Sequence, residues 1–316
     1  MADLRTTRTT GYHGYAVKFS PFYDNLLAGA GAANFGLVGN GRLNIVHVPP
    51  SGPLNIDKSY DTQDGIFDCT WNELNEHQIA TGGGDGSIKL WDLTIPQQPI
   101  MNWREHTREV FSVEWNYTHK ATFLSASWDT SVKLWSPESP TAVSTWQEHT
   151  QCVYAASWCP HQPDTFATVA GDGLLKLWDC KTPHAITTIS AHTGEALALD
   201  WNKYRPHCLA TGSVDKSIKL WDTRNPRLPL ETLLGHEYAV RRLKFSPHHD
   251  TQLASASYDM TTRIWDINAP MGQPMLQVLD YHTEFVFGVD FNLFIPGQLA
   301  TYSWDETVAV VQLPSP

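Results

Sequence analysis

Short runs that mix apolar and polar positions with the two-residue alternation of half-buried strands recur along this chain. VFSVEW (110–115) and VRRLKF (240–245) are examples. A second kind of run follows a turn and ends in Trp: GDGSIKLWD (84–92), WDTSVKLW (128–135), GDGLLKLWD (171–179), VDKSIKLWD (214–222) and YDMTTRIWD (258–266). A third kind, polar and shorter, lies between one Trp and the next unit, as in AVSTW (142–146) and AITTIS (185–190). The turn Asp residues fall at 85, 129, 172, 215 and 259, in steps of 44, 43, 43 and 44, and a further Asp lies at 305. A period of this length, with strand patterns throughout, predicts an all-β protein built from repeated four-stranded propeller blades.

Each unit carries a second anchor. His106, His149, His192, His236 and His282 each lie 23 residues before one of these Asp residues. A hydroxyl precedes each Asp by four residues, and Trp follows five of the six by six residues. Four sets are complete: His106, Ser125, Asp129, Trp135; His149, Thr168, Asp172, Trp178; His192, Thr211, Asp215, Trp221; and His236, Ser255, Asp259, Trp265. A buried imidazole, hydroxyl, carboxylate and indole each need a partner, and a relay through all four satisfies them together. Ser, His and Asp also spell a hydrolytic triad. A nucleophilic site is one special exposed constellation, however, and this one recurs blade after blade. The sets therefore read as structural, with no catalytic residue and no metal site. They resemble the tetrad of WD40 proteins.

Two units are degenerate: Thr62 occupies the His position before Asp85, and Val311 the Trp position after Asp305. A diverged unit at the start aligns GYAVKF (14–19) and NGRLNIV (40–46) with the repeat, which puts Thr10 and Asn40 in the His and Asp positions. The expected fold is a seven-bladed WD40 β-propeller forming a single domain over 1–316. The last unit lacks an outer strand, so the N-terminus, about residues 4–8, is expected to supply it and leave no open sheet edge.

Composition narrows the function. Thirteen Trp are accounted for largely by the repeat, and the net charge of −11 argues against nucleic-acid binding and against anionic membrane surfaces. Five Cys without a CxxC pair fit a reducing compartment better than zinc or disulfide frameworks. The start has no apolar signal segment, no apolar run has membrane-spanning length, and the end is no peroxisomal or reticular address, so a cytosolic protein without cofactors is expected.

Binding chemistry has to be sought on the face where the His loops and Asp turns open. Residues three and five after the His position should point alike, and the residue before Asp should join them. The candidates are Tyr15, Phe67, Glu109, Phe111, Trp128, Tyr154, Glu195, Arg241, Tyr258, Phe285, Phe287 and Trp304, with Asp64 and Asp68 nearby. Aromatics with scattered acids suit an amphipathic helix carrying a few basic residues.

From GYHGYAVKFSPF (11–22) to SWDETV (303–308) the whole chain resembles the peroxin-7 family, receptors for the type-2 peroxisomal targeting signal. The specific stretches are NFGLVGNGR (34–42), DGIFDCTWNE (64–73), EHTREVFSVEWN (105–116), GHEYAVRRLKFSPH (235–248) and YHTEFVFGVDF (281–291). The resemblance implies a cytosolic import receptor that cycles to the peroxisome. Its ligand would be an N-terminal nine-residue signal: Arg or Lys, Leu, five variable residues, His or Gln, Leu. The implied partners are cargo such as 3-ketoacyl-CoA thiolase, a co-receptor (the long form of peroxin-5 or a fungal equivalent) and docking peroxins 13 and 14. Two alternatives come from other classes. Trp221–Arg224 reads WDTR, like the WDxR box of cullin-4 ubiquitin ligase receptors, and a generic WD40 scaffold would need no such signal.

Overall fold

The computed structural model describes residues 3–269 and 273–314. Among them, twenty-eight strands form seven four-stranded antiparallel sheets, the blades of a propeller. The inner strands are His13–Phe19, Ile66–Trp71, Val110–Trp115, Val153–Trp158, Ala196–Trp201, Val240–Phe245 and Val286–Phe291. Each packs against the next, and Val286–Phe291 packs against His13–Phe19, so the ring closes. The outer strands are shorter than their apolar-polar runs suggested: Ser144–Trp146 and Thr187–Ser190 pair, while the residues before them are connections.

Closure uses the N-terminus as expected. Leu4–Arg8 pairs antiparallel with Thr307–Gln312, Leu4 opposite Val311 and Arg8 opposite Thr307, and so becomes the outer strand of the seventh blade. The core is divided among the clefts between blades. Its largest members are the repeat Trp residues, such as Trp135 and Trp265 at 0% exposure.

Polar side chains on the inner strands clasp neighbouring blades through the backbone. Asp290 accepts the N–H of Phe19 (2.9 Å), Glu114 that of Trp158 (2.6 Å), Asp200 that of Phe245 (2.7 Å), and Asp68 that of Val113 (3.0 Å). Cations in the central channel face these carboxylates, with Arg242 3.3 Å from Asp68 and Lys203 2.9 Å from Asp200. Buried charge is tolerated on Asp68, Asp200 and Asp290 because each has both a donor and a countercharge, Asp290 through Lys244 at 3.6 Å, whereas burial pushes the Glu114 carboxyl up.

The first blade is held differently. Tyr302, at 0% exposure, lies across Gly14, Gly29 and Gly31, where any side chain would collide with its ring or come within 3.3 Å of it. Its hydroxyl donates to Thr9 Oγ1 at 2.7 Å. The buried hydroxyl at this seam is therefore that of Thr9, and Thr10, aligned with the His position, is exposed.

Candidate functional site

The four complete sets each close into a relay. In the third blade the Trp135 indole donates to Ser125 Oγ (2.8 Å), Ser125 lies 2.7 Å from His106 Nε2, and His106 Nδ1 lies 2.8 Å from Asp129. The Asp172, Asp215 and Asp259 sets repeat this, with Nδ1 to carboxylate distances of 2.9, 3.0 and 2.7 Å. Burial works against charge on these carboxylates. The imidazole and the hydroxyl or backbone N–H groups aimed at them outweigh burial and hold Asp129, Asp215 and Asp259 well below the usual carboxylate range. Every histidine of these four sets is buried and already bonded at both ring nitrogens. The arrangement can hold a turn against a strand, and it presents no nucleophile to solvent.

The degenerate blades show what substitutes. His282 bonds Asp305 (2.9 Å) and Thr301 (2.8 Å), and the missing indole is replaced by the Tyr281 hydroxyl, 3.0 Å from Thr301 Oγ1. Without an imidazole, Asp85 takes the Ser87 hydroxyl (2.5 Å) and lies 3.6 Å from Lys89, while Thr62 turns to the Asp64 carbonyl.

Above the relays lies the face where binding chemistry was expected, and a backbone irregularity builds it. In all seven inner strands the register slips by one residue. The bulged residues are Tyr15, Phe67, Phe111, Tyr154, Leu197, Arg241 and Phe287. Simple two-residue alternation does not hold there: each bulge re-aims one side chain toward the axis. The slip coincides with a bond from the turn before the tetrad Asp. Trp128 N–H donates to the Glu109 carbonyl (2.9 Å) and Trp304 N–H to that of Phe285 (3.0 Å).

The re-aimed side chains pave the floor of a cup with a volume of about 420 Å³. Phe67 stacks on Phe111 (4.5 Å), Phe111 on Trp128 (4.5 Å) and Phe287 on Trp304 (4.8 Å). Tyr15, Phe67, Phe111 and Phe287 are floor residues, buried between neighbours, whereas Trp128, Tyr154, Tyr258 and Trp304 form half-buried walls. Phe285 stacks on Tyr258 at 4.8 Å behind the wall. Glu109 and Glu195 stand on the rim. Tyr154 donates to Glu195 at 2.7 Å, and Arg108 lies 3.4 Å from Glu109. Burial and the Glu195 charge push the Tyr154 phenol well up, so it remains a donor at neutral pH.

One expected face residue is elsewhere. Asp68 is 1% exposed and sits in the channel, clasping Val113 and paired with Arg242. Its position, one past the bulge, turns it away from the cup. Arg241 is a bulge residue but is 2% exposed, with its guanidinium 5.5 Å from the centre of Phe111 and 5.3 Å from that of Phe287. It lines the base of the cup beneath the aromatic rings, nearly closed off from solvent. Asp64 stays near the rim, capping Gly65 N–H at 2.8 Å. Phe35 and Leu37 also line the cup. They lie on a segment that interrupts the repeat, so no repeat position pointed to them. Arg224 of the WDTR stretch folds back on Asp222 at 2.7 Å, a local cap at a strand end.

Among the described residues no cluster of potential ligands could hold a metal ion, and no helix is long and apolar enough to cross a membrane. The family model for the WD domain, G-beta repeat, matches residues 56–92, 97–136, 140–179, 184–222 and 227–266. It leaves out the three inner strands of the diverged first blade and the last blade. Similar proteins include the peroxisomal targeting signal 2 receptor of Dictyostelium discoideum, 61% identical over 91% of each chain. The receptor of that name from Mus musculus is 51% identical over 98% of this chain and 97% of its own. Peroxisome biogenesis protein 7 of Arabidopsis thaliana is 57% identical over 95% of each. Among solved structures, the WD40 beta propeller domain of Doa1 superposes with a TM-score of 0.82 at 21% identity, covering 99% of this chain and 98% of that one. That likeness concerns the fold alone.

Proposed function

Because this chain belongs to the peroxisomal targeting signal 2 receptor family of WD40 propellers, we propose that it binds type-2 peroxisomal targeting signals in the aromatic cup and delivers their bearers for import. The supporting observation is the cup itself: a stacked aromatic floor with Glu109 and Glu195 on its rim, in a chain that matches receptors along nearly its whole length. An amphipathic helix puts leucines on one side, where the floor takes them, and a leading Arg or Lys can reach a rim carboxylate. Cargo such as 3-ketoacyl-CoA thiolase carries signals of this kind. A co-receptor, long peroxin-5 or a fungal equivalent, covers the bound helix, and peroxins 13 and 14 receive the complex at the membrane. The receptor works in the cytosol and cycles to the peroxisome. It catalyses nothing: its Ser/Thr–His–Asp sets are structural.

The test is fluorescence anisotropy with a labelled signal peptide, with and without co-receptor. Wild-type chain should bind, and Glu109→Lys with Glu195→Lys, shown by circular dichroism to be folded, should lose most binding. Wild-type affinity in that double variant places the signal outside the cup.

A further inference from the structure

Blade 1 carries an insertion in the repeat. Gly29 and Asn44 pair as Thr81 and Lys89 do in the next blade, yet eleven residues separate Gly29 from Asn40 where four separate Thr81 from Asp85. The extra residues, Ala33–Gly39, form a compact hook. Asn34 (φ 48°), Phe35 (φ 56°), Gly36 (φ 69°) and Gly39 (φ 110°) all take left-handed backbone, which costs Asn34 and Phe35 free energy.

That cost is met by ties to the cup. Tyr15 O–H donates to the Phe35 carbonyl (2.7 Å), and the Phe35 ring stacks on His13 at 3.8 Å. His13 in turn lies 2.6 Å from the Trp304 carbonyl. Asn34 Nδ2 donates to the Val38 carbonyl at 3.1 Å. Gly36 lies so close to the floor that a Cβ there would be 2.5 Å from the Tyr15 oxygen and 2.8 Å from Phe67. A segment held this firmly nevertheless exposes two apolar side chains, Leu37 at 86% and Val38 at 70%. Leu37 and Val38 cannot be what holds the hook in place, since both stay in water; Phe35, packed against His13 and Trp304, is its apolar anchor. Leu37 lines the cup, and the rim carboxylates stand on blades 3 and 5.

We infer that Leu37 and Val38 form a preorganised apolar lip that grips one end of the bound helix and sets its direction. The apolar end rests on the lip of blade 1 and the basic end lies over Glu109 and Glu195. This rests on the reading of the cup as the signal site. Rigid presentation of apolar anchors lowers the ordering cost of binding, which is the use such a hook has. The ligand this lip selects is an amphipathic helix that is basic at one end and apolar at the other; a helix with the reversed order leaves its basic end against apolar side chains and the rim carboxylates unpaired.

Two experiments decide it. Signal peptides carrying a photo-cross-linking residue at the first or the last position are irradiated with the full chain, and the adducts are mapped by mass spectrometry. The last-position probe should label residues 34–38 and the first-position probe the surroundings of Glu109, Tyr154 or Glu195. Separately, Leu37→Asp with Val38→Asp should weaken peptide binding by the chain alone about tenfold or more, with an unchanged melting temperature. Reversed labelling, wild-type affinity in the double variant, or a loss that appears only when co-receptor is present overturns the lip while leaving the cup in place. Failure of the wild-type chain to bind the peptide overturns the cup and the lip together.

Discussion

A single carboxylate shows how the tetrads work. Asp172 takes His149 Nδ1 at 2.9 Å, the Thr150 N–H and the Leu174 N–H, so it ties the His loop to its own turn. Asp172→Ala leaves the buried imidazole and two backbone donors without their acceptor. The expected loss is about 2–3 kcal/mol, read from urea unfolding. Protonation should act on all such sets together. The tetrad carboxylates have folded pKa values below their unfolded values near 4, so the unfolded chain takes up protons first as pH falls. Their stabilisation is complete above about pH 5 and is lost as pH falls through about 4 toward the folded values. Burial also depresses the His236 pKa, so its contribution is full above roughly 6.5 and declines below that. Urea midpoints measured from pH 7 to 3 should therefore fall gently at first and steeply below about pH 4. A midpoint that does not move across this range would contradict the network.

At the scale of elements, two devices complete what the repeat leaves open. Leu4–Arg8 covers the edge of Thr307–Gln312, and Tyr302 fills the side-chain-free surface of Gly14, Gly29 and Gly31. Removing residues 1–10 deletes that strand and takes away Thr9, the partner of the Tyr302 hydroxyl. The melting temperature should fall by roughly 5 °C or more, and a scanning calorimetry trace close to that of the full chain would place closure elsewhere. Tyr302→Ala empties the same seam from within and should cost about 3–5 kcal/mol, as large buried rings do. The bulges belong to this scale too. One extra residue per inner strand, repeated seven times, turns a set of strand side chains into a floor.

For the whole molecule, the ring gives a disc with a polar channel, most of whose charges are paired, and an aromatic cup above it. The net charge of −11 and the rim carboxylates favour basic ligands, and exposed charge pairs are weakened by salt. Peptide binding should weaken as salt rises from about 50 to 500 mM, chiefly through a slower association rate. The Glu109→Lys, Glu195→Lys variant should show a much flatter salt dependence. An equal salt response in both proteins would mean that these carboxylates do not meet the basic end of the ligand.

The repeat made most of this fold legible in advance. Fixed spacings of His, hydroxyl, Asp and Trp reflect a local relay that must close in each blade, so blade number, tetrad membership and the closing strand at 4–8 could all be read from residue order. Most of the cup's aromatics could be read as well, because they occupy repeat positions. What the order could not carry was direction and depth. Alternation cannot register a bulge, and a bulge decides which of two neighbouring side chains faces the axis: Phe67 entered the cup and Asp68 the channel. Burial of Arg241 depends on rings contributed by the third and seventh blades, far away in sequence. Phe35 and Leu37 break the period, so their place at the cup followed only from left-handed backbone and from contacts to His13, Tyr15 and Trp304. Periodic local bonding is written along the chain, whereas the side of a strand that meets a ligand is settled by how seven strands converge on one axis.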